Sequence, residues 1–142
     1  MDMQSLKITA EVTVNKPIEI VWQVWATPSD IMQWNIPSDD WHTPFVDNDL
    51  KTGGRFFFRM EAKNGSEGFD HSGKYENVII NQLIEYIGDD GRKSIIEFVS
   101  NGETTTIIET FEPENTNPIE MQKDFCQSVL NNFKKYIETK SE

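Results

Sequence analysis

The sequence predicts an α+β fold: a strongly curved antiparallel sheet of about seven strands wrapped around one long C-terminal helix, with two short helices after the first strand. Three observations carry this. From Trp41 to Glu112 the chain is a succession of short strand-like runs separated by tight-turn pairs. After Pro118 comes a long amphipathic stretch whose apolar arc is too broad for a flat surface to cover. Between the first strand and the rest, two short segments carry helical spacing, so the sheet is interrupted once and early.

The first strand is read over 6–14, where Leu6, Ile8, Ala10, Val12 and Val14 alternate with Lys7, Thr9, Glu11 and Thr13, giving one wet face. Pro17 suits a first helical position, and Ile18, Val21, Trp22 and Trp25 follow on one helix face. Thr27-Pro28 ends that helix and opens a second, with Thr27 as N-cap, Asp30 in the first turn, and Ile31 and Trp34 pointing inward. Strands follow over 42–47, 55–62, 69–80, 83–88, 93–100 and 103–112. The turns between them are Asn64-Gly65, Asn81-Gln82, Asp90-Gly91 and Asn101-Gly102, and the pairs containing glycine supply the positive φ of tight hairpins. No helix is available for parallel crossovers, so the strands form an antiparallel meander.

The final helix opens with Asn117 as N-cap, Pro118 at the first position and Glu120 three residues after the cap. Ile119, Phe125, Cys126, Val129, Leu130, Phe133, Tyr136 and Ile137 share one arc of its wheel. Only a bent sheet gripping the helix buries every amphipathic face at once, and a gap between the two is the natural place for a cavity.

At 142 residues the chain makes one domain, spanning 1–142. Its 24 acidic and 13 basic residues leave a formal charge of −11 with no basic cluster, which argues against nucleic acid and anionic membrane surfaces as partners. No leader or membrane-spanning run is evident, so a cytoplasmic protein with no membrane insertion is expected. Cys126 stands alone and reads as a small buried hydrophobe. His42 and His71 lack the spacing of a metal-ligand set, and there is no G-x-S-x-G elbow or phosphate loop. No cofactor or metal is expected, no catalytic residue is assigned, and a binding protein is favoured over an enzyme.

Three stretches, VWQVWATPSDIMQW, GGRFFFRMEAKNGSEGFDHSGKYENV and TFEPENTNPIEMQKDFCQSVLNNFKKYI, together cover much of the chain. They resemble the bacterial single-domain relatives of the activator of the ninety-kilodalton heat-shock chaperone ATPase. Those relatives lie within the START-like (SRPBCC), birch-pollen-allergen-like superfamily, which also includes polyketide aromatase/cyclases. The resemblance implies the helix-grip fold already reached from the residues. It also implies a helix-grip cavity, used by relatives for lipids, plant hormones, flavonoid-like aromatics or polyketide chains, and a link to the stress response through the chaperone.

The aromatic residues are the candidate ligand-binding set. Phe56, Phe58 and Met60 of one strand would meet Phe125, Val129 and Phe133 of the terminal helix, joined by Trp25 and Trp34 from the short helices and by Phe69, His71 and Tyr75 from the next strand. They either fill a core by packing on one another or line a cavity for a small hydrophobic, aromatic or lipid-like ligand oriented by His71 and Tyr75. Phe57 sits between two inward phenylalanines. Without a bulge it faces outward, where it could contact a protein partner or second subunit. Arg59 and Asp70 face each other as a surface ion pair or a ligand anchor. Gln122 lies inside the apolar arc and either reaches water or hydrogen-bonds a ligand. The alternatives to ligand binding are a co-chaperone-like interaction module and an aromatase/cyclase-like enzyme using His71 to move a proton.

Overall fold

The computed structural model describes residues 7–140. The elements are β1 (Ile8–Val14), α1 (Ile18–Ala26), α2 (Pro28–Trp34), β2 (Trp41–Asn48), β3 (Arg55–Ala62), β4 (Gly68–Ile79), β5 (Leu83–Gly88), β6 (Lys93–Asn101), β7 (Thr104–Phe111) and α3 (Ile119–Thr139). Each strand anticipated from the sequence is present to within a residue or two; Leu6, the anticipated start of the first, lies outside the described residues. The seven strands form one antiparallel sheet in the order β1-β7-β6-β5-β4-β3-β2. β2 to β7 run as a meander, and β1 returns beside β7.

Curvature has local causes. Register shifts between Tyr75 and Asn77 in β4, and between His42 and Phe45 in β2, mark bulges, and a bulge bends its strand and increases the twist. The tight corner entering β3 explains its glycine pair. Gly53 has φ 88°, and a Cβ on Gly54 would lie 2.1 Å from the Asp49 carbonyl oxygen. The hairpin turns carry positive φ as expected, at Gly65, Gly91 and Gly102, and at Asn81 with φ 69°.

The core lies on the concave side. Val14, Ile84 and Ile107 of the sheet, Val21 of α1, Ile31 of α2, and Phe133 of α3 are at most 1% exposed. Helix α3 divides in two. Leu130, Phe133 and Ile137 in its second half are buried, whereas Ile119 and Met121 in the first turn are exposed, and Phe125, Cys126 and Val129 are half-buried. The apolar arc anticipated from Ile119 to Ile137 is thus covered only toward its C-terminal end, because the close packing of α3 is against β1 and α2.

Three local expectations change. Thr27 occupies the cap position of α2, but its hydroxyl donates to the Gln23 carbonyl at 2.7 Å, closing α1 rather than opening α2. Helix α3 is capped at Pro118, and the Asn117 N–H donates instead to the Glu114 carboxylate at 2.6 Å. Half-buried Gln122 is held by the preceding loop: its amide oxygen accepts from the Glu114 N–H at 2.9 Å and its NH2 donates to the Glu114 and Asn117 carbonyls at 3.1 and 2.9 Å. It fastens the loop between β7 and α3.

Candidate functional site

The aromatic side chains gather in three groups. Trp25, Trp34 and Phe133 stack mutually, with ring centroids 4.6 to 5.2 Å apart, and Phe98 of β6 closes on Trp25 at 5.5 Å. Trp34 also donates its indole N–H to the Val24 carbonyl at 3.1 Å. This group joins α1, α2 and the second half of α3. The next group lies on the sheet floor, where Phe56 touches Phe58, His71, Tyr75 and Tyr86 at 4.9 to 5.4 Å. Met60 is buried beside Asn35, whose side-chain amide lies 3.6 Å from its sulfur. The last group stands under the first half of α3, with Phe69 midway between Trp41 at 5.9 Å and Phe125 at 6.2 Å. Phe69 is 40% exposed, so this end opens to solvent. Val129 packs against the core from the helix between the two ends.

A band of polar groups crosses the floor beneath the same half of α3. Tyr86 of β5 places its hydroxyl 3.5 Å from His71 Nε2 of β4. Ser94 is directly opposite Tyr86 on β6. Glu109 of β7 shares the inward parity of Ile107 and pairs with Ile96. The Cys126 thiol of α3 lies near enough to feel its charge.

Burial dominates the electrostatics of this band. It lowers the His71 pKa to about 4, helped by the Arg92 charge and opposed by Asp90, so the imidazole is neutral at physiological pH. Burial also raises Glu109 to about 7, with the neighbouring Cys126 opposing. The Tyr86 phenol and Cys126 thiol are pushed up as well, by burial first and by the Glu109 carboxylate second. His71, Glu109 and Cys126 are half-buried and keep some water-accessible surface. Tyr75 is otherwise engaged: its hydroxyl donates to Asn48 Oδ1 at 2.5 Å, and Asn48 in turn donates to the Ala26 carbonyl.

Two clefts are present. One of about 310 Å³ is lined by Lys16, Ile20, Gln23, Asp30, Ile137 and Lys140, between α1, α2 and the end of α3. The other, of about 130 Å³, is lined by Tyr86 and Ser94 of the polar band together with Glu85, Lys93, Thr110 and Glu112. Neither is lined by Phe125, Phe133 or His71. Among the described residues no three His, Cys, Asp or Glu side chains are placed to hold a metal ion, and no helix is long and apolar enough to cross a membrane.

On the convex face Phe57 points outward, with no register shift between β3 and β4, and meets Phe45 at 5.9 Å. Phe45 is 53% and Phe57 36% exposed. Arg59 pairs there with Asp70 at 3.1 Å and Glu61 at 2.9 Å, and His42 lies 3.4 Å from Glu61. This is a surface network, and such pairs contribute little stability.

Glu109, Tyr86 and Ser94 were not anticipated as site residues. The signal was present: Glu109 shares strand parity with Ile107 and Phe111, Tyr86 with Ile84, and Ser94 with Ile96 and Phe98, so each is a polar position on an otherwise apolar face.

A bent antiparallel sheet closed by a terminal helix over a mixed aromatic and polar concave lining defines a START-like helix-grip protein. Residues 15–138 match the family described as Activator of Hsp90 ATPase homolog 1-like protein, and the chain belongs to that family. The AHSA1-like protein from Aeromonas hydrophila is 39% identical, with TM-score 0.86 and coverage of 94% of this chain and 92% of that one. Chr148 from Cytophaga hutchinsonii is 48% identical, with TM-score 0.80 and coverage of 96% and 97%. The Aha1 dimer from Colwellia psychrerythraea, 13% identical with TM-score 0.74 and coverage of 94% and 97%, shares the fold. No curated protein matches the chain.

Proposed function

We propose that this protein binds a small, mostly apolar molecule, aromatic or lipid-like, between the first half of α3 and the sheet floor. Phe56, Phe58, Met60, Phe69, Phe125 and Val129 are the apolar walls, and His71 orients the guest. Trp25, Trp34, Phe133 and Tyr75 support the site from its packed end. The observation that carries this reading is the incompletely covered aromatic group Trp41, Phe69 and Phe125 at the first half of α3, beside the inward-facing and only half-buried His71 of the sheet floor. The exposed start of α3, with Ile119 and Met121 open to solvent, adds a way in. The test is a titration with flavonoids, fatty acids and sterols, following backbone amide shifts over residues 125–129 and the fluorescence of Trp41 beside Phe125. Saturable shifts confined to those residues support the reading; a flat response across all three classes removes it.

The exposed Phe45–Phe57 pair favours a second reading, a co-chaperone-like module that meets a protein partner through its convex face. Adding the protein at saturating concentration to an Hsp90-type chaperone and measuring ATP turnover tests it. An unchanged rate excludes it.

A further inference from the structure

Deepening the binding role proposed above, on which it rests, we infer that the guest carries a basic nitrogen and that Glu109, inward-facing on β7 beneath α3, is its counter-ion. The Glu109 carboxyl sits on the concave floor, in register with Ile96 and with the inward parity of buried Ile107, and among the described residues no ion pair reaches it. The ionisable groups near it are Cys126 from α3, Tyr86 from β5 and, beyond Tyr86, His71 from β4. The β6 and β1 residues paired with its neighbourhood, Ile96 and Ala10, bring no charge. None of those groups is positive near neutral pH, because burial keeps the imidazole unprotonated. A carboxylate so placed is costly unless a positive charge arrives, and that deficit is differential binding energy available to a cationic guest.

The walls select in the same direction. Phe58, Tyr86, Trp41, Phe69 and Phe125 present ring faces and edges around the recess, and aromatic faces attract cations. The molecule as a whole carries −11, which raises the local concentration of cations and repels anions during approach. A fatty-acid carboxylate meets the opposite situation: like charge outside, and the Glu109 carboxyl within. The class of ligand that fits is a hydrophobic amine, with an aromatic or aliphatic body against Phe56, Phe58 and Phe125 and its ammonium at Glu109.

Three probes sharing one apolar body separate this from plain hydrophobic binding: 2-naphthylmethylamine, 2-naphthylmethanol and 2-naphthoic acid, titrated near pH 7.5 into wild type and Glu109→Gln. The amine is expected to bind wild type about ten-fold more tightly than the alcohol, with the acid weakest. In Glu109→Gln the amine and alcohol are expected to converge to within about two-fold while the alcohol is unchanged. Equal wild-type affinities for amine and alcohol, or an amine preference that survives the substitution, overturns the assignment but leaves the cavity standing. Binding of none of the three removes the cavity reading itself. If the variant does not fold, the carboxyl carbon of Glu109 in wild type gives the same answer by NMR. Saturating amine must lower its titration midpoint by at least about one unit, and an unmoved midpoint refutes the pairing.

Discussion

The Gln127 side chain completes the open edge of β1 at Glu11: its carbonyl accepts from the Glu11 N–H at 3.3 Å and its amide donates to the Glu11 carbonyl at 2.9 Å. One side chain thus imitates a neighbouring strand. Lys134 repeats the device one step along, donating to the Thr13 carbonyl at 2.8 Å, and Glu138 accepts from the Asn15 N–H at 2.8 Å. The polar edge of α3 therefore covers a row of backbone groups that would otherwise template aggregation, and it ties the helix to the β1 side of the sheet. On the other side of α3, Phe125 meets Phe69 and Trp41 through ring contacts rather than hydrogen bonds.

Gln127→Ala tests this division. Both bonds are near solvent, so the expected loss is about 1 kcal/mol, or roughly 3 to 5 °C in Tm. The more specific readout is amide exchange. The Glu11 N–H should lose protection, while those of Ala10 and Val12, which face β7, should keep theirs. Uniform loss of protection along β1 would mean that Gln127 supports the strand globally rather than at its edge.

Phe133 and Phe125 lie two turns apart on α3 and should behave oppositely. Phe133 is fully buried against Trp25 and Trp34, so Phe133→Ala is expected to cost about 3 to 5 kcal/mol. Phe125 is half-buried among Trp41 and Phe69 at the open end, so Phe125→Ala should cost about 1 kcal/mol or less and weaken apolar ligand binding instead. Chemical denaturation and ligand titration on the two variants separate the packed end from the binding end. Equal destabilisation would show that both ends are core.

The contrast between these positions marks what the sequence could convey. Alternation in β1, the turn glycines and the breadth of the α3 arc each reflect local stereochemistry, so the strands, the meander of β2 to β7 and the gripped helix were legible, whereas the pairing of β1 with β7 was not. Phe57 was harder, because three adjacent phenylalanines erase the alternation that fixes a face; only the register with β4 settles it as outward. Gln122 and Gln127 were out of reach, since each bonds backbone brought close by the tertiary fold. Glu109 was overlooked for a different reason: in TTTIIETF the run Ile107-Ile108 obscures which parity is inward, and a glutamate next to threonines reads as solvent-facing.

His71 makes the protein sensitive to acid. Its folded pKa, lowered by burial from 6.5 to about 4, means that the unfolded chain binds the proton more readily. Its contribution is fully present above pH 6.5 and is lost as pH falls from 6.5 toward 4, by an amount on the order of 3 kcal/mol. His71→Gln, which can still hydrogen-bond the Tyr86 hydroxyl, should remove that fall. Urea denaturation at several pH values measures it, and a variant with the same loss below pH 6.5 as wild type would place the effect elsewhere.

Glu109 acts with the opposite sign over an overlapping range. Its folded pKa is raised by burial from 4.5 to about 7, so here the native state holds the proton more tightly. Its contribution is fully present below pH 4.5 and is lost as pH rises through 7, again on the order of 3 kcal/mol. Between pH 4.5 and 6.5 the His71 and Glu109 slopes oppose, so wild-type stability owes little net pH dependence to the pair there. Removing either partner should unmask the other. Glu109→Gln is expected to be more stable than wild type at pH 8 and about equal at pH 4, with a steeper rise through pH 4.5 to 6.5; His71→Gln should decline over that interval. Stability curves for wild type, both single variants and the double variant decide the matter. If the Glu109→Gln difference is independent of pH, the carboxyl titrates normally in the native protein and is not enclosed beneath α3.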